Sequence, residues 1–247
     1  MEYIVIFFIG ICATTIGTMA GGGGLISLPA MLLIGIPIHS AIGANKVSNT
    51  ISSFSSFVHL YKKKELSLKE SIWMVPVSAI GGVSGGMLAS NLSNEKMYIL
   101  ALLLLLFAFI TSFAGKGDFG GNDGLKINYL SIPGLYGIGI YDGLFGPGQG
   151  TLLFYLFSYL RISYIKAVGL VRLATFSSCF GAAVTYISTG KMIWPLTIAL
   201  LLGSITGAQI GVRFAEKLNP KYIKPLLRIV TLALILQIIY NQLVKYT

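Results

Sequence analysis

Tyr-Asp-Gly-Leu-Phe-Gly-Pro-Gly-Gln-Gly-Thr, from Tyr141 to Thr151, interrupts an apolar region where an unbroken helix would otherwise run. Pro147 has no N–H to donate, and its ring clashes with a helical neighbour. Each helical glycine costs about 1 kcal/mol relative to alanine. Ala-Gly-Gly-Gly-Gly-Leu-Ile-Ser-Leu-Pro-Ala, Ala20 to Ala30, is a second interruption of the same kind. A short apolar piece follows each break, Leu25–Ile36 and Thr151–Leu160. The first is about 18 Å long as a helix. That is too short to cross a hydrocarbon core of about 30 Å. Broken backbone at membrane depth persists only where protein or water covers it.

The two breaks belong to two copies of one unit. Gly22 and Gly148 are 126 positions apart, and the same offset carries Gly24 onto Gly150, Ala41 onto Ala167, Gly43 onto Gly169 and Ser52 onto Ser178. It also carries Gly81 onto Gly207, Gly85 onto Gly211 and basic Lys46 onto basic Arg172. A constant, gapless offset over this span is the mark of duplication. The first repeat is residues 1–114, the glycine-rich linker 115–125 and the second repeat 126–247. Each repeat runs apolar segment, glycine break, short piece and three membrane-length helices. Those helices are expected near Ser40–Leu60, Leu68–Ser90 and Lys96–Phe113, then Lys166–Ser188, Ile193–Phe214 and Tyr222–Leu243. Gly81, Gly82, Gly85 and Gly86 line one helix, and Gly203, Gly207 and Gly211 its partner. Such spacing lets helix backbones approach closely.

Composition agrees with this reading. Of the 247 residues, 55% are hydrophobic and 11% charged, with a mean hydropathy of +0.80. A soluble domain carries roughly a quarter charged residues. Met1–Ala20 lacks a basic start and is expected to be a retained membrane segment. The net charge of +10 sits mostly in short loops, as the positive-inside rule describes, so nucleic acid is not an expected partner. Cys12 and Cys179 lie in apolar runs without metal spacing and read as packing residues. His39 and His59 stand at helix ends and read as interfacial.

Loop charge also bears on orientation. Setting aside Lys46, Arg172 and Arg228, which lie within spans, 15 of the 18 Lys and Arg remain. If each short piece turns back as a re-entrant hairpin, 12 fall on one side. Only Lys96, Lys191 and Lys245 fall on the other. If the short pieces cross, the split is 8 against 7. The first arrangement satisfies the positive-inside rule. The expected fold is therefore an all-α integral membrane protein of two inverted repeats, with both termini outside. Each repeat is a glycine-broken re-entrant or discontinuous segment plus three transmembrane helices.

Inverted repeats would bring two helix N-termini together near mid-membrane. Their first N–H groups have no helical partner and carry partial positive charge. Glycine lets a ligand approach that backbone, so the pair suits an anion. The candidate binding residues are Gly21, Gly22, Gly23, Gly24, Gly148, Gln149, Gly150 and Thr151 at the breaks. Asn45, Lys46, Asn49, Arg172 and Thr175 join them from the following helices. Lys46 and Arg172 are expected about 9 Å into those helices. A charge at that depth is costly and marks function; the competing reading is snorkelling to the interface. Asn45, Ser48, Asn49 and Ser52 share a helix face, as a hydrated path or as helix–helix bonds. Gln149 either donates to an oxyanion or caps its turn. Asp142 is an acid beside a break whose repeat counterpart is Ile16. It either caps the local turn or carries a coupling proton. No P-loop, paired-acid, Ser/His/Asp or metal-ligand pattern is present.

The two quoted breaks, with Gly-Ala-Asn-Lys at Gly43 to Lys46, resemble the TauE/SafE family of sulfite and organosulfonate exporters over nearly the whole chain. The resemblance implies a multi-pass anion permease of the cell membrane without cofactor or metal. Implied substrates are small sulfur oxyanions such as sulfite or sulfoacetate. The expected partners are that anion, the lipid bilayer and a coupling ion, H+ or Na+; a homo-oligomer is compatible. The expectation is a secondary transporter and not an enzyme. The alternatives are a passive anion channel or an intramembrane hydrolase.

Overall fold

A computed structural model describes residues 2–20, 23–64, 66, 68–114, 131–215, 232 and 236. Gly21, Gly22, the linker 115–125 and all but two positions of the expected last helix lie outside the described residues. Regular structure among the described residues is all helical. The first half contains α1 (Glu2–Ala20), α2 (Gly24–Leu33), α3 (Ile38–Lys62), α4 (Leu68–Ser71), α5 (Met74–Ser90) and α6 (Asn94–Ala114). The second contains α7 (Ser131–Leu144), α8 (Gln149–Tyr159), α9 (Tyr164–Ser188) and α10 (Trp194–Ala215).

One expected helix is two. The stretch Leu68–Ser90 turns at Ile72 and Trp73 before α5 begins. Pro76 then sits in the first turn of α5, where a missing N–H breaks no helical bond. α3 and α9 both start earlier than the sequence suggests. Lys46 and Arg172 are each the ninth residue of their helix, about 12 Å along the axis.

Both glycine breaks reverse the chain. A β-carbon at Gly23 would lie 3.0 Å from the Ala13 carbonyl oxygen and 3.2 Å from Gly17 Cα. Along a continuous helix those residues would be about 15 and 9 Å apart. α2 therefore starts folded back against α1. In the second half, a β-carbon at Gly134 would sit 3.3 Å from the Leu156 side chain, so α8 returns along α7. Gly146 (φ +99°) and Gly148 (φ +86°) flank Pro147 in the left-handed region, which glycine enters without steric cost. Helix α8 starts immediately after Gly148.

The two halves interlock. α1 packs on α10, and its repeat counterpart α7 packs on α5. Gly203, Gly207 and Gly211 of α10 press on the carbonyls of Phe7, Ile11 and Thr15. Gly81 and Gly85 of α5 press on those of Tyr136 and Ile140. Numbering rises together in both pairs, so each runs parallel. α3 and α9, also repeat counterparts, run antiparallel: the Phe54 and Phe176 rings meet at a tilt with centroids 5.1 Å apart, while Gly43 lies against Tyr186. The apolar clusters follow the same exchange. Leu28, Met31 and Ile42 pack with Tyr186, and their equivalents Phe154, Phe157 and Val168 pack with Leu60.

Polarity is inverted relative to a soluble protein. Ile80, Met87, Leu88, Ile99, Leu103, Phe107 and Ile110 are at least half exposed, while Lys46, Ser48, Ser52, Ser56, Asp142 and Arg172 are buried. Three described helices, α1, α9 and α10, are long and apolar enough to cross a bilayer. The chain is an all-helical membrane protein.

Candidate functional site

The two breaks meet. A β-carbon on Gly24 would lie 3.3 Å from Pro147 Cα. Glycine at this point lets the start of α2 touch the turn before α8. Beside that contact is a cavity of about 30 Å³. One water needs roughly 10–15 Å³ on this scale, so a small oxyanion or a few waters fit. The walls are Thr14 and Gly17 of α1, Gly23 and Gly24, Asn45, Lys46 and Asn49 of α3, Asp142 and Gly146, Gln149 of α8, and Arg172 and Thr175 of α9.

The cavity therefore joins eight of the sequence candidates: Gly23, Gly24, Asn45, Lys46, Asn49, Gln149, Arg172 and Thr175. Asp142, the proton-coupling candidate, joins them. Gly148, Gly150 and Thr151 belong to the second break and the first turn of α8 but do not line it. Gly21 and Gly22 lie outside the described residues. Sequence reasoning missed Thr14, Gly17 and Gly146. Glycine at Gly17 offers only backbone, so no side-chain chemistry flags it.

Asp142 does not cap a turn, which corrects one of its two sequence readings. Its Oδ1 accepts from Lys46 Nζ at 2.8 Å. Its Oδ2 accepts from the Ser178 hydroxyl at 2.5 Å and from the Cys179 thiol at 3.2 Å. Lys46 and Asp142 are 1% and 2% exposed, so neither snorkels. Gly146 is tied to this pair, because any β-carbon there would collide with Lys46 Nζ. The Tyr141 hydroxyl donates to the Pro147 carbonyl and fixes the turn.

Arg172 is the structural counterpart of Lys46 and is bonded differently. One terminal nitrogen donates to the Gly17 carbonyl at 2.8 Å. Its Nε is buried with no partner. A guanidinium has five N–H donors and no acceptor, and a buried unpartnered charge is strongly unfavourable. With Asp142 ionised, the walls hold two cations against one anion. Two helix starts add partial positive charge at the same place.

The polar rim is pre-bonded. Thr175 donates to Gln149 Oε1 at 3.2 Å, which leaves the Gln149 amide as a donor. The Asn49 amide donates to Asn45 Oδ1 at 2.5 Å, and the Asn45 amide to Ser27 of α2. The polar face of α3 divides: Asn45 and Asn49 reach the cavity, whereas the Ser48 hydroxyl bonds the Leu200 carbonyl of α10. His39, at the start of α3, is buried and donates through Nε2 to the Leu92 carbonyl. No group of three metal-ligating side chains is found among the described residues.

Comparisons with known proteins point to a family of membrane transporters. The family model described as "Sulfite exporter TauE/SafE" matches residues 6–238. The chain is 33% identical over 242 residues to a "Probable membrane transporter protein ORF9" of Sinorhizobium sp, covering 95% of this chain and 91% of that protein. It is 28% identical over 244 residues to the "Probable membrane transporter protein YfcA" of Escherichia coli K12, covering 96% and 89%. A "Probable membrane transporter protein" of Haemophilus influenzae is 26% identical over 242 residues, covering 96% and 94%. No solved structure matches the chain.

Proposed function

We propose a function from one premise: this chain belongs to the sulfite exporter TauE/SafE family. It is a membrane transporter. Its substrate is a small sulfur oxyanion or organosulfonate, such as sulfite or sulfoacetate, bound where the two breaks meet. One observation carries this reading: Arg172 is buried against the cavity with Nε unpartnered. An oxyanion is the group that satisfies a guanidinium edge with two parallel hydrogen bonds. The Gln149 side-chain amide and the start of α2 at Gly24 supply further donors.

The orientation reading is that of inverted repeats. α3 and α9 are repeat equivalents and run antiparallel, so helices that both cross a bilayer cross it in opposite senses. The 12-to-3 loop charge supports the same arrangement. Alternating access would then rock one interlocked half against the other around the cavity. The location proposed is the cell membrane, with several crossings. Outward transport is the direction that the family description supports. A hydrolase reading gains nothing from the cavity. Both Asp142 oxygens are engaged, and neither histidine lines the walls.

The test is counterflow of labelled sulfite or sulfoacetate in proteoliposomes. Saturable counterflow is expected, and Arg172→Gln should weaken apparent affinity about 10- to 100-fold, the range of one or two charged hydrogen bonds. Linear, non-saturating flux would instead establish the channel alternative. Wild-type affinity in the Arg172 variant would remove that residue from the site.

A further inference from the structure

The proposed anion site contains an anion already. Asp142 occupies Lys46 at 2.8 Å inside the cavity wall. The other cation on that wall, Arg172, has no acid of its own. An arriving substrate therefore meets one available cation and one that is covered. Covering Lys46 holds the resting cavity at a net single positive charge. A substrate that also engages Lys46 must displace a carboxylate that cannot leave, because Ser178 and Cys179 hold its other oxygen. A carboxylate that hands its ammonium partner to a second anion loses its nearest stabilising charge and gains a like neighbour, the setting in which taking up a proton relieves it.

We propose that Asp142 and Lys46 form a proton-coupled anion switch, in which substrate binding at this site takes up one proton on Asp142. The step balances. The carboxylate gains a proton from water and becomes a neutral carboxylic acid. Lys46 keeps its ammonium charge and transfers its hydrogen bond from Asp142 to the substrate. One anion and one proton enter the site together, so its charge is the same loaded with a monoanion as empty. The neutral acid can still accept from Ser178 through its carbonyl oxygen.

The surroundings allow this, and no second carboxylate is among the described residues that line the cavity. Among the elements packed on α7, α3 brings Lys46 and α5 carries no titratable side chain. α6 meets α7 through Leu104 and Phe107, and its titratable groups, Glu95, Lys96 and Tyr98, stand near its far start. α9 brings Arg172, Cys179 and Tyr186, whose hydroxyl bonds the Leu144 carbonyl at 3.4 Å. α8 brings Tyr155 and Tyr159, both beyond its first turn. On α7 itself, Tyr141 is bonded to Pro147. Asp142 is the one carboxylate on the cavity wall. It also has no duplicate, because the offset places Ile16 at the equivalent position. One coupling acid per molecule predicts one proton per anion. Net flux then follows the product of the anion and proton gradients, and an accumulated substrate leaves with a proton.

This inference rests on the anion-transport reading, and its test separates the two. The probe is a short-chain sulfonate such as isethionate, whose own charge is constant across the assay range. In wild type, affinity should fall as pH rises, by up to about tenfold per unit for one proton taken up. An imposed pH gradient should drive uphill accumulation. Asp142→Asn keeps the shape and removes the titration. It should bind severalfold tighter than wild type at alkaline pH, lose its pH dependence and fail to accumulate substrate on a pH gradient. An Asp142 that never takes up a proton would leave wild-type affinity the same at every pH. Independently of any variant, adding the sulfonate to wild-type protein in weakly buffered detergent should remove about one proton per anion bound. Saturable counterflow with pH-independent affinity and no proton uptake overturns the switch and leaves the transport reading standing. Absence of any counterflow overturns both.

Discussion

Lys46 and Arg172 hold equivalent places in the two halves of the molecule, each the ninth residue of a long helix beside a glycine break. Their surroundings differ at several positions, and one of these changes is an acid. Lys46 faces Asp142, and the position equivalent to Asp142 on the other side is Ile16. Arg172 takes the carbonyl of the neighbouring Gly17 instead and keeps Nε unpartnered. The duplicated scaffold sets where two cations go. The departure from duplication leaves one of them paired with an acid and the other without one.

The ion pair is the most direct place to probe that difference. Lys46→Met leaves Asp142 buried without its cation, and removing one partner of a buried pair costs about 3–5 kcal/mol. Thermal unfolding in detergent should show a large drop, largely recovered in Lys46→Met/Asp142→Leu. The same change on the other side should behave differently. Arg172→Met removes a buried charge that no acid compensates, so its cost in stability should be under about 1 kcal/mol, or negative. Equal losses at the two sites would contradict the asymmetry.

A second pair of substitutions tests the scaffold that the halves share. Gly207→Ala and Gly81→Ala each insert a methyl group against a facing carbonyl, that of Ile11 or Tyr136. Overpacking of this kind costs about 1–3 kcal/mol. Similar losses at both positions are expected in the same unfolding assay. The smallest effect expected comes from repairing the symmetry. Ile16→Asp gives Arg172 a resident carboxylate and should lower sulfonate affinity by about tenfold, a single charged hydrogen bond's worth. Titration of binding in detergent reads it, and unchanged affinity would mean that Arg172 does not hold the anion.

Much of this arrangement is legible in the residues themselves. Pro147 and its flanking glycines force a break, the offset exposes the second copy, and charge at Lys46 and Arg172 marks the depth that matters. Eight binding candidates chosen on those grounds line the cavity. Contact between halves is what a sequence hides. An offset pairs equivalent residues, but it does not say that Asp142 reaches across to Lys46, so the acid reads more simply as a cap. The polar run on α3 poses the same difficulty: Ser48 turns to α10 while Asn45 and Asn49 turn to the cavity. Thr14 and Gly17 carry no charge, and Gly17 contributes a carbonyl that every residue possesses. The turn at Ile72 and Trp73 is concealed because its residues are as apolar as the helix it interrupts.

The crossed packing of α1 on α10 and α7 on α5 also has a temporal meaning. A ribosome releases α1 well before α10, because the glycine ridge that receives it, at Gly203, Gly207 and Gly211, lies 196 residues after the carbonyls it meets at Phe7, Ile11 and Thr15. At about 5–20 residues per second, α1 waits roughly 10–40 s for its seat, whereas α7 emerges to find α5 already made. Two halves that are equivalent in the finished protein are unequal during its birth. The early helix depends on lipid or an insertion factor to cover a surface that its own chain has not yet supplied.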